Sequence, residues 1–147
     1  MQILVVDDFA TGRLTTDAPR LSFDSFGRML RRAGATIDVR ASAHQARQRL
    51  LELTQRGELP DVLLTDYYLS GRETGLDLAC WCMQQPALAR IARVLLSAAV
   101  VQAERAAVAQ ATSLHAVFVA VYEKPVDMMT LVHDLARLIT LPPAGSA

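Results

Sequence analysis

The chain has no excess of charge of either sign and no long apolar run. Its 147 residues include 15 lysines and arginines and 15 aspartates and glutamates, so the formal net charge is zero. Nothing in this composition favours general binding to nucleic acid or to an anionic membrane. No apolar run approaches the length of a membrane span, and the N-terminus lacks a basic region followed by a signal-peptide core. We therefore expect a cytoplasmic protein.

Cysteine is also scarce, with only Cys80 and Cys82 in the chain. They lie two positions apart in a predicted helix, so their side chains point roughly 200° apart around its axis. They can neither bridge each other nor share a metal ion without distortion. We interpret both as small apolar fillers in a reducing compartment, with redox sensing as the alternative.

The length and composition are those of one globular domain. Hydrophobic residues make up 52% of the chain and charged residues 20%. Because an apolar run begins at once after Gln2, the domain is predicted to start where the chain starts and to extend over residues 1–141. Residues 142–147 are small and rich in proline and glycine, and we expect a flexible tail that leads into no further domain.

Short apolar runs typical of strands alternate with segments of helical spacing. Five strand–helix units in succession predict an α/β fold: a parallel, doubly wound sheet with five helices divided between its two faces. The commonest strand order at this size is 2-1-3-4-5. The predicted strands are Ile3–Val6, a weak strand at Ile37 and Val39, Val62–Thr65, Val94–Leu96 and Val117–Tyr122.

Several polar residues, glycines and a proline mark the ends of the predicted helices. The first helix is expected to end at a glycine, and the fourth is an alanine-rich stretch from Gln102 to Ala111. The first helix is predicted because Phe23, Phe26, Met29, Leu30 and Ala33 recur at helical spacing. The predicted caps and stops are Gly34, Ser42 with Gln45, Gly57, Thr74 with Asp77, Pro86 and Asp127.

Polar side chains follow four of the five strands. Asp7-Asp8, Asp66, Ser97 and Lys124 each come at the end of an apolar run. If the strands are parallel, these side chains gather at the carboxyl edge of the sheet, where open α/β sheets place their active sites. An acidic cluster with oxygen ligands alone suits a hard divalent cation such as magnesium, and the lysine adds a fixed positive charge. The combination suits the handling of a phosphoryl group.

These pieces together resemble a response-regulator receiver domain, the phosphoacceptor half of two-component signalling. The resemblance covers nearly the whole chain and implies a flavodoxin-like receiver fold over residues 1–141. Asp66 and Ser97 are 31 positions apart, which also suits the family. The matching pieces are Asp7-Asp8, Asp66, Gly75-Leu76-Asp77-Leu78, Ser97-Ala98 and Lys124-Pro125.

The resemblance implies a role for each of these residues. Asp66 would be the phosphoacceptor, Lys124 would pair with it, and Ser97 would donate its hydroxyl to a phosphoryl oxygen. Magnesium would be the cofactor. Its ligands would be Asp8 directly, Asp7 mainly through water, Asp66, and the backbone carbonyl of Tyr68. The peptide bond before Pro125 would be cis.

The implied partners are a sensor histidine kinase or a phosphotransfer protein that donates the phosphoryl group. The face formed by the fourth helix, fifth strand and fifth helix would contact a downstream protein or a second copy of the chain. The protein would be a signalling phosphoacceptor, not an enzyme acting on other substrates. The alternative is a receiver with a degenerate switch that acts as a constitutive protein-interaction module. A small phosphohydrolase would need an aspartate two positions beyond the nucleophile, where Tyr68 stands.

Two features depart from the family pattern. The aromatic residue whose rotation reports phosphorylation usually stands three positions before the lysine, and here that position is Val121, followed by Tyr122. A shift of one position in a strand reverses the face, so Tyr122 is not expected to inherit the role unless a bulge restores it. The stretch between Asp8 and the first helix is also about ten residues longer than a compact receiver needs, by the loop lengths usual in such units.

Overall fold

In the computed structural model, the chain forms a parallel sheet of five strands in the order β2-β1-β3-β4-β5. This is the predicted α/β fold class and strand order. The structure describes residues 1–7, 27–28 and 30–140. All four pairs of neighbouring strands are parallel. The strands are β1 Gln2–Val6, β2 Thr36–Arg40, β3 Val62–Thr65, β4 Ala92–Ser97 and β5 Ala120–Glu123.

Helices follow β2, β3, β4 and β5 along the chain. They are α1 Ala43–Arg56, α2 Gly75–Gln84, α3 Val100–Ala109, α4 Leu114–Val117 and α5 Met128–Thr140. Residues 30–32 are also helical, and Gly34 follows them with a φ of 89°, as expected for a helix stop. Of the residues at helical spacing, Leu30 is fully buried, whereas Ala33 is exposed and lies in the turn before Gly34. Phe23, Phe26, Met29 and the predicted tail 142–147 lie outside the described residues.

One boundary prediction was wrong. The fifth strand does not begin at Val117, because Leu114–Val117 forms the single-turn helix α4, in addition to the predicted helices. The Ser113 hydroxyl accepts a hydrogen bond from the Ala116 amide and so caps this turn. Val117 is buried within it. An apolar residue is equally suited to a buried turn or a buried strand, so the hydrophobic pattern could not separate the two.

Both faces of the sheet are covered. One face packs against Leu30 and α5, through a cluster that includes Val5, Leu64 and Leu131. The opposite face packs against α1 and α2 around Leu63, and against α2, α3 and α4 around Leu95. The middle residues of β1 and β3 are therefore apolar, and the acidic side chains lie just beyond the strand ends. None of the described helices is long and apolar enough to cross a membrane.

The start of α2 is fastened directly behind β3. Thr74 and Asp77 form the predicted capping box, with the Thr74 hydroxyl accepting from the Asp77 amide and the Asp77 carboxylate accepting from the Thr74 amide. Gln45 behaves differently at α1, where its side chain accepts from the Ala41 amide while Ser42 caps the helix. The box at α2 brings Gly75 against the end of β3.

Gly75 is required by this close approach. Its amide donates to the Tyr67 carbonyl at 2.7 Å. A Cβ at this position would lie 1.9 Å from the Asp66 carbonyl oxygen and 2.9 Å from the Thr65 hydroxyl. Because the nearest obstacle is backbone, the helix or the end of β3 would have to move to admit a methyl group.

We predict that Gly75→Ala lowers the free energy of unfolding by about 2–3 kcal/mol, as expected for overpacking against backbone. Chemical denaturation monitored by circular dichroism measures it. Gly27→Ala is the matched control, because Gly27 is also helical and, among the described residues, its Cβ would meet just the Arg31 guanidinium at 3.6 Å. Equal stability of the two variants would contradict the close approach at Gly75.

Candidate functional site at the carboxyl edge of the sheet

Two carboxylates and one ammonium group meet at the carboxyl edge. Lys124 Nζ lies 3.0 Å from Asp66 Oδ2 and 3.4 Å from Asp7 Oδ2. Each aspartate directly follows its strand and continues the hydrogen bonding between strands. The Asp7 amide donates to the Arg40 carbonyl, and the Asp66 amide donates to the Val6 carbonyl. Both are only 8% exposed. The structure thus brings together three of the residues predicted for the site.

Lys124 carries its charge in a partly buried position. Its side chain is 30% exposed. Burial by itself lowers the pKa of the ammonium group, but the charges of Asp7 and Asp66 and their hydrogen bonds outweigh it, so the net effect raises the pKa. The lysine therefore remains a cation throughout the physiological range, as a partner for phosphoryl oxygens must.

The two oxygens of the Asp66 carboxylate have different partners. Oδ1 accepts a hydrogen bond of 2.6 Å from the Tyr67 amide, while Oδ2 accepts from Lys124 at 3.0 Å. The carboxylate is therefore held at both ends.

Ser97 ends β4 at the same edge. Its residue is fully buried, and its hydroxyl accepts a hydrogen bond from the Ala99 amide at 3.0 Å. Thr65 is in register with Leu95, so Ser97 lies one position beyond the level of Asp66. The Ser97 carbonyl accepts from the Lys124 amide at 3.0 Å. One residue thus links the ends of β4 and β5, while its predicted bond to a phosphoryl oxygen stays a prediction.

The loop that carries the lysine has the expected backbone. The peptide bond between Lys124 and Pro125 is cis, as the family resemblance implies. Asp127, the predicted cap, follows it, and its carboxylate accepts from the Thr130 amide at the start of α5. These contacts place Lys124 between the end of β5 and the first turn of the last helix.

The remaining predicted magnesium ligands are Asp8 and the backbone carbonyl of Tyr68. Asp8 lies outside the described residues, so its place in the site stays a prediction. Tyr68 stands two positions after Asp66. The residue is 57% exposed, and its ring centroid lies 4.8 Å from that of Tyr67 in an edge-to-face contact. Its carbonyl as a ligand is likewise a prediction. Within the described residues, no three His, Cys, Asp or Glu side chains form a group that could hold a metal.

The chemistry of the described donors fits magnesium. Among the described residues, the carboxylates of Asp7 and Asp66 face the one ammonium group of Lys124, and their oxygens are hard donors. A divalent cation would offset the remaining negative charge, to which the adjacent Asp8 would add. Asp7 and Asp66 are the described residues that would hold it.

Solved structures similar to this chain share its whole architecture. The receiver domain of a sensor histidine kinase from Pseudomonas aeruginosa, crystallised with magnesium in its active-site cleft, is 21% identical, with a TM-score of 0.67 over 95% of this chain and 98% of that one. The receiver domain of a histidine kinase from Syntrophus aciditrophicus is 21% identical, with a TM-score of 0.67 over 99% and 95%. A response regulator from Desulfuromonas acetoxidans is 22% identical, with a TM-score of 0.64 over 94% and 95%.

This chain has the receiver-domain fold. At identities this low the likeness to solved structures establishes the fold and leaves the activity to be argued from the site. No protein-family model matches the chain, and no curated protein matches it in a sequence comparison.

The receiver-domain fold makes the departure at β5 concrete. Val121 packs on the face covered by α3, with Ala99 and Ala103, whereas Tyr122 packs on the opposite face with α5. The pairing of β4 with β5 is regular, with Leu95 opposite Val121, so no bulge restores an aromatic residue to the α3 face. The expected reversal of face is confirmed.

Tyr122 is instead bound to the last helix. Its hydroxyl donates to the Asp134 carboxylate at 2.8 Å. Burial, followed by this hydrogen bond and the carboxylate charge, raises the pKa of Tyr122 to about 12. Tyr122, the aromatic residue next to the usual switch position, therefore links β5 to α5 by a hydrogen bond.

Two contributors to the site were not recognised from the sequence. Thr65 appeared only as the end of β3, yet its hydroxyl donates to the Asp66 carbonyl at 2.8 Å. Gly75 appeared as part of a motif, yet it contacts the backbone of Asp66. The available signal was weak: a single hydroxyl in the otherwise apolar run Val62–Thr65 is polar without an evident partner.

Trp81 and the cysteines lie away from this edge. Trp81 is partly buried on α2, packs against the core beside α1, and has the Arg47 guanidinium 5.8 Å from its ring centroid. Arg47 also forms an ion pair with Glu73. Burial raises the pKa of the Cys82 thiol to about 11 and also raises that of Cys80, which agrees with their interpretation as packing residues.

We predict that Tyr122→Phe lowers the free energy of unfolding by about 1 kcal/mol near neutral pH, because it removes one hydrogen bond to a carboxylate. The folded pKa is raised above its ordinary value of 10.0 to about 12. The advantage of wild type over the variant is therefore complete below pH 10 and lost as pH rises through 12. Denaturation at a series of pH values measures it.

Tyr68→Phe is the matched control for Tyr122→Phe. Tyr68 is largely exposed, so the free energy of unfolding of this variant should lie within about 0.5 kcal/mol of the wild-type value. The folded pKa of Tyr122 is about 12, so the stability difference between wild type and Tyr122→Phe should shrink as the pH rises from 9 to 12. A constant difference over this range would contradict the hydrogen bond to Asp134.

Proposed function

We propose that the chain is a phosphoacceptor receiver, with Asp66 as the residue that takes the phosphoryl group. The observation that carries this proposal is the Asp66 carboxylate itself, nearly buried, and held at one oxygen by a backbone amide and at the other by Lys124. The receiver-domain fold supports it, because this carboxylate lies at the edge where open α/β sheets bind ligands. Residues 1–141 would form the receiver domain.

The proposed reaction is a transfer between two side chains. A carboxylate oxygen of Asp66 attacks the phosphorus of a phosphohistidine on a partner protein. An oxygen–phosphorus bond forms as the nitrogen–phosphorus bond breaks, and the departing imidazole keeps the electron pair. The product is an acyl phosphate on Asp66, and the chain acts on no other substrate.

Lys124 and Ser97 would stabilise the transferred group. The ammonium group that now contacts Asp66 and Asp7 would turn to a phosphoryl oxygen. The Ser97 hydroxyl, now bonded to the Ala99 amide, would donate to another. Magnesium, held by Asp7, Asp8, Asp66 and the Tyr68 carbonyl, would supply charge neutralisation when bound.

The donor would be a sensor histidine kinase or a phosphotransfer protein in the cytoplasm, where ATP is available to phosphorylate it. The downstream contact would use the face formed by α3, β5 and α5, for another protein or a second copy of the chain. Large apolar side chains are exposed on α3, at Val101 and Val108, and on α5, at Met129. These exposed apolar side chains on α3 and α5 are available for a protein contact on that face.

A constitutive interaction module is the second candidate. Val121 occupies the usual switch position, and Tyr122 is bonded to Asp134 on the opposite face. A receiver of this kind would contact its partner through the same face without a response to phosphorylation. The intact set of Asp7, Asp66 and Lys124 favours the first candidate.

We predict that incubation with acetyl phosphate and magnesium adds one phosphoryl group, and that Asp66→Asn abolishes the addition because it removes the nucleophile. Intact-mass measurement reads the adduct. Asp8→Asn should raise the magnesium concentration required for labelling, because it removes one of few charged ligands.

Asp61→Asn is the matched control for labelling. Asp61 lies before β3, at the opposite edge of the sheet, where its carboxylate accepts from the Gln2 amide. This variant should label like wild type. An Asp66→Asn protein that still gains one phosphoryl group would overturn the assignment.

We predict that beryllofluoride, which mimics the phosphoryl group, changes amide exchange from Ser97 through Leu131. A new charge at Asp66 would draw in Ser97 and Lys124, whose backbones are joined by a hydrogen bond, and so would bias the elements between them. Exchange mass spectrometry with and without the mimic measures it. Asp66→Asn is the control and should show no response.

Unchanged exchange across this segment, in a protein that nevertheless labels on Asp66, would favour the constitutive module. The surface around Tyr122 and its hydrogen bond to Asp134 would then be one that phosphorylation of Asp66 does not change. Labelling and exchange therefore separate the two candidates.

A further inference from the structure

The peptide unit between Asp66 and Tyr67 is held on both of its polar groups. Its carbonyl oxygen accepts a hydrogen bond of 2.8 Å from the Thr65 hydroxyl. Its amide donates the hydrogen bond of 2.6 Å to the Asp66 carboxylate. Rotation of this one peptide plane would move both groups together, because the peptide bond is planar. The direction of the carbonyl therefore fixes the direction of the amide that donates a hydrogen bond to the carboxylate.

Thr65 is an unusual residue for its position in the strand. It is 1% exposed, and it lies on the same face of β3 as Leu63, which packs in the apolar cluster beneath α1 and α2. A valine of nearly the same shape would fill this place without burying a hydroxyl. A buried hydroxyl is unfavourable unless it is hydrogen-bonded, and here it is bonded to the backbone of the acidic residue.

Gly75 also approaches the same peptide unit closely. Its Cα approaches so closely that a Cβ would lie 1.9 Å from the Asp66 carbonyl and 2.9 Å from the Thr65 hydroxyl. Its amide occupies the next carbonyl, that of Tyr67, at 2.7 Å. The peptide unit is thus confined between a hydroxyl and the start of a helix whose capping box is complete.

We propose that Thr65 is a positioning residue for the phosphoacceptor. By holding the Asp66 carbonyl, its hydroxyl directs the Tyr67 amide at Oδ1 and leaves Oδ2 directed at Lys124. The carboxylate is then held in one orientation. The free-energy barrier to transfer is lower, because the carboxylate does not have to be oriented first. This inference rests on the proposed function of Asp66.

The test compares three variants. Thr65→Val removes the hydroxyl and keeps the shape, Thr65→Ser keeps the hydroxyl, and Thr54→Val is the matched control. Thr54 donates the same kind of bond, to the Leu50 carbonyl at 2.7 Å, but near the C-terminal end of α1, which runs away from the carboxyl edge. If Thr65→Val does not fold, Thr65→Ala replaces it, because it removes the hydroxyl without adding volume.

The first measurement is the rate of labelling by acetyl phosphate at saturating donor and magnesium. We expect Thr65→Val to label roughly five- to tenfold more slowly, the change that loss of one hydrogen bond of orientation corresponds to. Thr65→Ser should stay within about twofold of wild type, as should Thr54→Val, in which no site contact is lost. A Thr65→Val protein that is less stable but labels at the wild-type rate would overturn the proposal.

The second measurement does not depend on labelling. Exchange of the Tyr67 amide proton, followed by nuclear magnetic resonance, should be faster in Thr65→Val relative to neighbouring amides and unchanged in Thr54→Val. If wild type does not label, the proposed function fails, and this amide alone decides whether Thr65 orients the carboxylate. An unchanged Tyr67 amide in Thr65→Val would overturn the positioning role whatever the labelling result.

Discussion

The arrangement at the carboxyl edge depends on one ammonium group placed between two carboxylates. Asp7 and Asp66 end the neighbouring strands β1 and β3, where nearly buried acidic groups would otherwise repel each other. Lys124 contacts both, at 3.4 Å and 3.0 Å. It comes from beyond β5, two strands away from β3 in the sheet, so its side chain has to reach across the end of β4. The lysine thus joins the two halves of the sheet electrostatically.

The backbone gives this ion cluster its geometry. The Asp66 carboxylate takes one donor from its own chain, at the Tyr67 amide, and the lysine loop is fastened to the end of β4 by the bond from the Lys124 amide to the Ser97 carbonyl. Donors on rigid backbone lose little freedom when a ligand arrives, which favours the stabilisation of developing charge. A change of charge at Asp66 would be felt first by Lys124 and Ser97, and through them by β4, β5 and the helices that follow.

Much of the fold and part of the site followed from local patterns. The alternation of strands and helices predicted a parallel, doubly wound sheet, because crossovers are right-handed, and the observed strand order is the commonest one at this size. The capping box at Thr74 and Asp77 is a contact within one turn, and it was predictable for that reason. The opposite directions of Val121 and Tyr122 followed from the two-residue repeat of a strand. The additional helix at Leu114–Val117 did not, because burial in a turn and burial in a strand select the same apolar residues.

The sequence by itself determined which chemical groups could collect at one edge, since every parallel strand ends there and only its last residues escape the apolar core. Tertiary structure alone decided which of those groups touch. The contact of Lys124 with Asp66 joins residues 58 positions apart, and its distance depends on how β4 and β5 pack beside β3. The close approach of Gly75 to the Asp66 carbonyl likewise joins residues of different elements, because α2 packs against the end of β3. Such contacts depend on shifts of an ångström between packed elements, which hydrophobic periodicity does not encode.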